Sequence, residues 1–351
     1  MIKNIQVETS GKQKEFNYGF ALLRALMCFE VVLNHYWPEK VTPPPHLYGA
    51  VFSMLTAFAV PVFMFLSFYL MERLFVENDI KYFRKRLRKL AYPLIGWSVI
   101  YYFVYLFIQI KIDCNVKFTD LLWSIFSGAS EKLNGPLWFQ SQIIYITILF
   151  FLIFKFFKTD IAIFITWILL ILSWVFEYSG LNFKIFDSQI YEIKWSFGRF
   201  VEMVPYATMG LSCAYFNVFE KLKQKRIYSC ILFGFLCCFF FKYWMIKPAS
   251  GFGYEFNQFM ILVFFVIGFV YLIPFEKLPE KLKTVLRFLT KYTLGIYCMH
   301  LGLGKILNIY FEKMSQKINN FILCIIIYIL GFIISFLLDR IPSKWAKQLV
   351  E

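Results

Sequence analysis

Residues 18–37 read YGFALLRALMCFEVVLNHYW. Apart from Arg24, Glu30, Asn34 and His35, every side chain in this run is apolar or aromatic. About 20 such residues are what an α-helix needs to cross the hydrocarbon core of a bilayer. The stretch therefore predicts a transmembrane helix, and its four polar residues are the ones that need explaining. Charged groups inside a bilayer are costly and are usually functional or paired. Arg24 and His35 are eleven residues apart, which leaves about 20° of rotation after three turns and about 16 Å of rise. One face thus carries a guanidinium near one end and an imidazole toward the other. Glu30 lies about 120–140° off that face and is expected to meet a different neighbour. A plainer account also fits. Arg24 can snorkel to headgroups, and His35 can sit in an aromatic belt with Tyr36 and Trp37.

The rest of the chain supports the membrane assignment. Hydrophobic residues make up 60% of its 351 positions and charged residues 17%, whereas a soluble domain is about half apolar and a quarter charged. Further apolar runs lie at 49–72, 90–110, 136–156, 160–178, 197–216, 227–245, 257–274, 289–309 and 320–338. The expectation is an all-α polytopic transmembrane bundle of about ten helices. Residues 1–17 form a cytoplasmic N-terminal segment, 18–338 a single transmembrane domain, and 339–351 a cytoplasmic tail. The polar start, Met1 to Phe16, shows no cleavable signal pattern, so the first apolar run is read as a permanent anchor.

Charge sets the orientation. With the N-terminus inside, 24 of the 37 Lys and Arg fall on inner segments and 11 on outer ones, with Arg24 and Arg199 inside helices. Excess Lys and Arg marks cytoplasmic loops, so both ends are placed in the cytoplasm, and the location expected is a bacterial cytoplasmic membrane. The net charge of +15 is assigned to this bias and to contact with membrane lipids. It is not assigned to nucleic acid, because no basic stripe sits on an otherwise soluble domain. Seven of the eight Cys lie in apolar runs and Cys114 in an outer loop, so no structural disulfide is expected. No CxxC or Cys/His cluster suggests a metal.

Several motifs, in order, resemble the integral-membrane acyltransferase-3 family, whose members acylate sugars of cell-surface glycans. The Arg24-to-His35 spacing matches the family's first-helix signature. VPVFMFLSFYL stands where the family has an FFxxSG-like run, with Phe68 replacing the usual Gly. YFRKRLRKLAYPLIGW matches an Arg-rich inner loop running into a Pro. GPLWFQSQ matches the family's LWF, with Pro136 where many members carry His. YTLGIYCMH matches a YxxGIYxxH pattern and brings in His300. The likeness spans roughly 17–310.

The resemblance implies an acyl-CoA-dependent O-acyltransferase, acetyl being the family's commonest group. The donor comes from the cytoplasm, and the acceptor is a sugar or polysaccharide hydroxyl. Arg24 with Arg84, Arg86, Arg88 and Lys89 would hold the CoA phosphates, for which the guanidinium fork is suited. The plain alternative for that loop is topology and lipid attraction. His35 would be the catalytic base or a transient nucleophile, oriented by Glu30 or Glu202. Arg199, Trp138, Asn34 and His300 would bind the acceptor. The structural alternatives are an Arg199–Glu202 ion pair, a Trp138 belt residue and a core His300. A glycan or lipid-linked-sugar transporter is the rival function. It would be expected to show inverted repeats or broken midplane helices, and neither is evident. A third account is a sensor or scaffold that keeps the fold without the chemistry.

Overall fold

The computed structural model describes residues 16–36, 59–112, 116–128, 133, 137–178, 191–224, 234, 260–313 and 320–350. Among them the regular structure is helical, with no strand: fourteen α-helices and one short 3-10 turn at Phe275–Lys277. In chain order they are α1 (Tyr18–Tyr36), α2 (Ala59–Leu70), α3 (Glu72–Val76), α4 (Ile80–Ile112) and α5 (Phe118–Ser127). Then follow α6 (Trp138–Phe156), α7 (Thr159–Tyr178), α8 (Tyr191–Tyr215), α9 (Val218–Gln224) and α10 (Met260–Leu272). The last four are α11 (Glu280–Lys291), α12 (Thr293–Lys313), α13 (Asn320–Arg340) and α14 (Lys344–Gln348).

Nine of the ten expected spans coincide with helices α1, α2, α4, α6, α7, α8, α10, α12 and α13. The tenth, 227–245, lies outside the described residues apart from Gly234. By length and composition alone, four helices among the described residues are apolar enough to cross a membrane: Ile80–Phe107, Trp138–Phe156, Thr159–Phe176 and Asn320–Arg340. Helix α1 carries Arg24, Glu30, Asn34 and His35, which lower its mean hydropathy. A helix that holds polar groups toward its neighbours is expected to look less apolar than one that faces lipid. The chain is a helical membrane protein.

Helix α1 sits centrally and packs against α2, α10, α11, α12 and α13. Helix α2 runs closely along α8, where Gly210 lies so near the Phe65 backbone that no Cβ could fit between them. Small residues of this kind let transmembrane backbones approach. The abundant phenylalanines fill the interior. Phe65, Phe68, Phe75, Phe150, Phe154 and Phe219 are fully buried, and Phe68 meets Phe75 and Phe150 at ring separations of 5.7 and 5.3 Å. Lipid tails are as apolar as Phe, so these rings stabilise the bundle through close packing more than through exclusion of water. Ile171, Leu172 and Val175 on α7, and Ile329, Ile333 and Leu337 on α13, point outward, as lipid-facing residues should.

Helix α4 starts ten residues before its expected span, because the basic stretch is the first part of the same 33-residue helix. Phe83, Leu90, Leu94, Trp97 and Tyr101 recur at helical spacing along its packed face. The C-terminal segment is docked on this helix: the Trp97 indole donates to the Leu349 carbonyl at 2.9 Å.

Candidate active site

The two polar ends of α1 meet different surroundings. At the Arg24 end, the side chain is half-buried and has no carboxylate partner among the described residues. Arg86 on α4 lies within electrostatic range of it. Helical spacing explains why Arg86 stands apart from its basic neighbours. It shares the packed face with Phe83 and Leu90, is half-buried, and donates its Nε–H to the Met71 sulfur at 3.1 Å. Arg84, Arg88 and Lys89 point outward and are exposed. So, of the four expected inner-loop residues, Arg86 lies on the packed face within electrostatic range of Arg24, and the others lie on the surface. Two neighbouring guanidinium groups repel each other, and a bound polyanion would relieve that repulsion.

Between the two ends, Cys28 continues the same stripe of α1, and its buried thiol donates to the Thr293 carbonyl at 3.3 Å. Cys28, Cys213, Cys298 and Cys324 are free thiols. Glu30 turns away, as its angular offset predicts. Its Oε1 accepts from the Ala59 amide at 3.2 Å, at the first residue of α2.

At the far end of α1, His35 is exposed and Asn34 is half-buried beside it. The His35 ring lies 5.0 Å from that of His300, centroid to centroid, with planes 43° apart. His300 is fully buried in α12. Tyr36 secures this meeting. Its hydroxyl hydrogen is shared between the carbonyls of His300 and Leu301, at 3.2 and 3.0 Å. Gly304, one turn further along α12, leaves the space that the Tyr36 ring occupies. Tyr36 and Gly304 were not singled out in the sequence, because an aromatic next to a histidine at a helix end reads as belt.

A third cluster forms where α6 meets α8. Arg199 and Glu202 form the expected i,i+3 ion pair at 2.7 Å. The Arg199 guanidinium also lies 5.1 Å from the Trp138 ring and 5.3 Å from the Trp195 ring. The two indoles meet edge to face at 5.7 Å. Trp195 was missed, although its i−4 spacing to Arg199 was a usable signal. Below this cluster the LWFQSQ motif buries Gln140, Ser141 and Gln142. Gln142 donates to the Ser196 hydroxyl at 3.1 Å, and Gln140 donates to the Cys298 sulfur at 3.6 Å. A run of rings joins the third cluster to the histidines. Phe139 lies 6.2 Å from Trp138, Tyr297 lies 5.9 Å from Phe139, and His300 lies 5.8 Å from Tyr297.

Helix α1 thus carries an exposed imidazole at one end and a half-buried arginine at the other. A family model described as an acyltransferase domain matches residues 17–340, nearly the whole chain. The protein therefore belongs to the acyltransferase-3 family, and it is a membrane acyltransferase. No curated protein and no solved structure matches the chain.

Proposed function

We propose that the protein moves an acyl group, acetyl by preference, from cytoplasmic acyl-CoA to a sugar hydroxyl of a cell-surface or exported polysaccharide, working in the cytoplasmic membrane of a bacterium. The observation that carries this is the two-ended α1. Arg24, within electrostatic range of Arg86, suits the phosphates of CoA at one end, and His35 at the other has an exposed side chain.

In this scheme His35 takes the proton of the acceptor hydroxyl as its oxygen attacks the thioester carbonyl. The new C–O bond forms, the C–S bond breaks, and the proton passes from the imidazolium to the departing CoA thiolate. The alternative is a two-step route. A His35 nitrogen attacks the thioester, a C–N bond forms as C–S breaks, and the imidazole proton leaves with CoA as its thiol. The acceptor oxygen then attacks the acyl-histidine, C–O forms as C–N breaks, and the hydroxyl proton returns to the imidazole. Arg199, Trp138 and Trp195 offer the acceptor sugar an aromatic and cationic wall, with Glu202 holding Arg199 in place. Arg84, Arg88 and Lys89 would serve as outer electrostatic attraction for the polyanionic donor.

The test is transfer from radiolabelled acetyl-CoA to surface glycan in membranes carrying either the wild-type protein or His35→Ala. Label should enter the glycan with the wild type and not with the variant, while CoA binding by the variant stays within about threefold. Normal turnover by His35→Ala would remove the base from the mechanism. Glycan export without acylation would favour a transporter. Mass spectrometry of the glycan with and without the protein identifies the acyl group from the mass difference.

A further inference from the structure

We propose that His300 is the positioning residue for His35: its Nε2 lone pair accepts the imidazole N–H of His35 and thereby fixes which His35 nitrogen faces the acceptor hydroxyl. This rests on the acyl-transfer scheme above and deepens it. Three observations support it. First, His300 Nδ1 lies 2.5 Å from the Tyr297 carbonyl oxygen. A carbonyl cannot donate, so Nδ1 must carry the hydrogen. Nε2 is then an acceptor. Second, Nε2 is buried and has no hydrogen-bond partner among the described residues. Leaving such an atom unpaired is costly, so a partner is expected during the working cycle. Third, the His35 ring is 5.0 Å away, centroid to centroid. The tilted rings are not bonded in this arrangement, but two imidazoles joined edge to edge by an N–H···N bond also have centroids about 5 Å apart. A turn of the exposed His35 ring, with neither helix moving, would therefore bring its N–H to Nε2.

The consequence is a division of labour. His35 has two nitrogens, and only one can face the hydroxyl. Donation of its other N–H to His300 selects the tautomer whose remaining lone pair is free to take the proton, much as a carboxylate orients the base in hydrolytic triads. When His35 becomes an imidazolium, the same hydrogen bond strengthens, because its donor is now charged. His300 gains and loses no proton over the cycle. Tyr36 maintains the geometry by tying the end of α1 to the backbone of His300 itself.

The experiment compares His300→Phe, which keeps a ring but has no acceptor, with His300→Gln, whose side-chain oxygen can occupy the acceptor position. The expected result is a fall in kcat of about tenfold or more for Phe, with the acyl-CoA Kd within about threefold, and recovery to within about threefold of wild type for Gln. Equal turnover by the two variants, whether both high or both low, would overturn the proposal. A measurement on the unaltered residue guards against a misfolded Phe variant. The chain has three histidines, so 15N-histidine labelling with His46→Gln leaves two imidazoles to assign. His300 should be the Nδ1–H tautomer with a hydrogen-bonded Nε2, and an Nε2–H form would overturn the proposal by itself. If His35→Ala retained normal turnover, the acyl-transfer scheme would fail instead, and the tautomer spectrum would still report on the pairing.

Discussion

Arg24 and Arg86 come from positions 62 residues apart, on helices α1 and α4, and no carboxylate neutralises Arg24 among the described residues. If they hold the CoA phosphates, each should contribute like other charge-assisted contacts, about 1.5–3 kcal/mol. Arg24→Ala and Arg86→Ala should then each raise the acyl-CoA Kd about ten- to a hundredfold, by equilibrium binding. Arg84→Ala and Arg88→Ala, on the exposed side of the same helix, should change it by less than about threefold. Equal effects at all four positions would mean that the donor is attracted by overall charge with no built phosphate site. At the Arg199 cluster, Trp195→Ala removes one of two rings flanking the guanidinium. A cation–π contact of about 0.5–2 kcal/mol corresponds to a rise of about three- to thirtyfold in acceptor KM, with the acyl-CoA KM unchanged.

At the scale of the elements, the meeting of α1 with α12 matters most, because it brings His35 to His300. Gly304 is needed there for space. Gly304→Leu puts a branched side chain where the Tyr36 ring lies, and so should push the two helices apart and abolish turnover. Tyr36→Phe keeps the ring and loses only the bonds to the His300 and Leu301 carbonyls. It should lower the thermal midpoint slightly, by about 1 kcal/mol of stability, and reduce turnover less than Gly304→Leu. A fluorescence-based melting curve and the same transfer assay read both effects. Much of this level was legible beforehand. Nine runs of apolar residues became helices, and the basic stretch became the start of α4. Its helical character was missed because charge there looked like loop, although Phe83 and Leu90 already marked one face.

For the whole molecule, the distribution of Lys and Arg predicts which ends face the cytoplasm. Lys81 at the start of α4 and Lys117 before α5 are both exposed and should lie on opposite sides. In intact cells a membrane-impermeant maleimide should label Lys117→Cys, and it should label Lys81→Cys only after permeabilisation. Both variants are made in a Cys114→Ser background, since Cys114 is expected in an outer loop, and the thiols at 28, 213, 298 and 324 are buried and should contribute little background. The reverse pattern would invert the topology and put the guanidinium pair on the wrong side for cytoplasmic acyl-CoA.

The sequence alone determined the helices, the membrane, and the shared face of Arg24 and His35, because hydrophobicity and helical period are local properties of a continuous stretch. It also predicted the Arg199–Glu202 pair, whose partners are one turn apart. Only the tertiary structure decided that His300 stands beside His35, that Arg86 and not its neighbours approaches Arg24, and that Trp195 completes the wall around Arg199. These meetings depend on how helices distant in sequence are rotated and shifted against one another. That register is set by packing summed over many side chains, such as Tyr36 against Gly304 and Phe65 against Gly210, and no single stretch of chain encodes it.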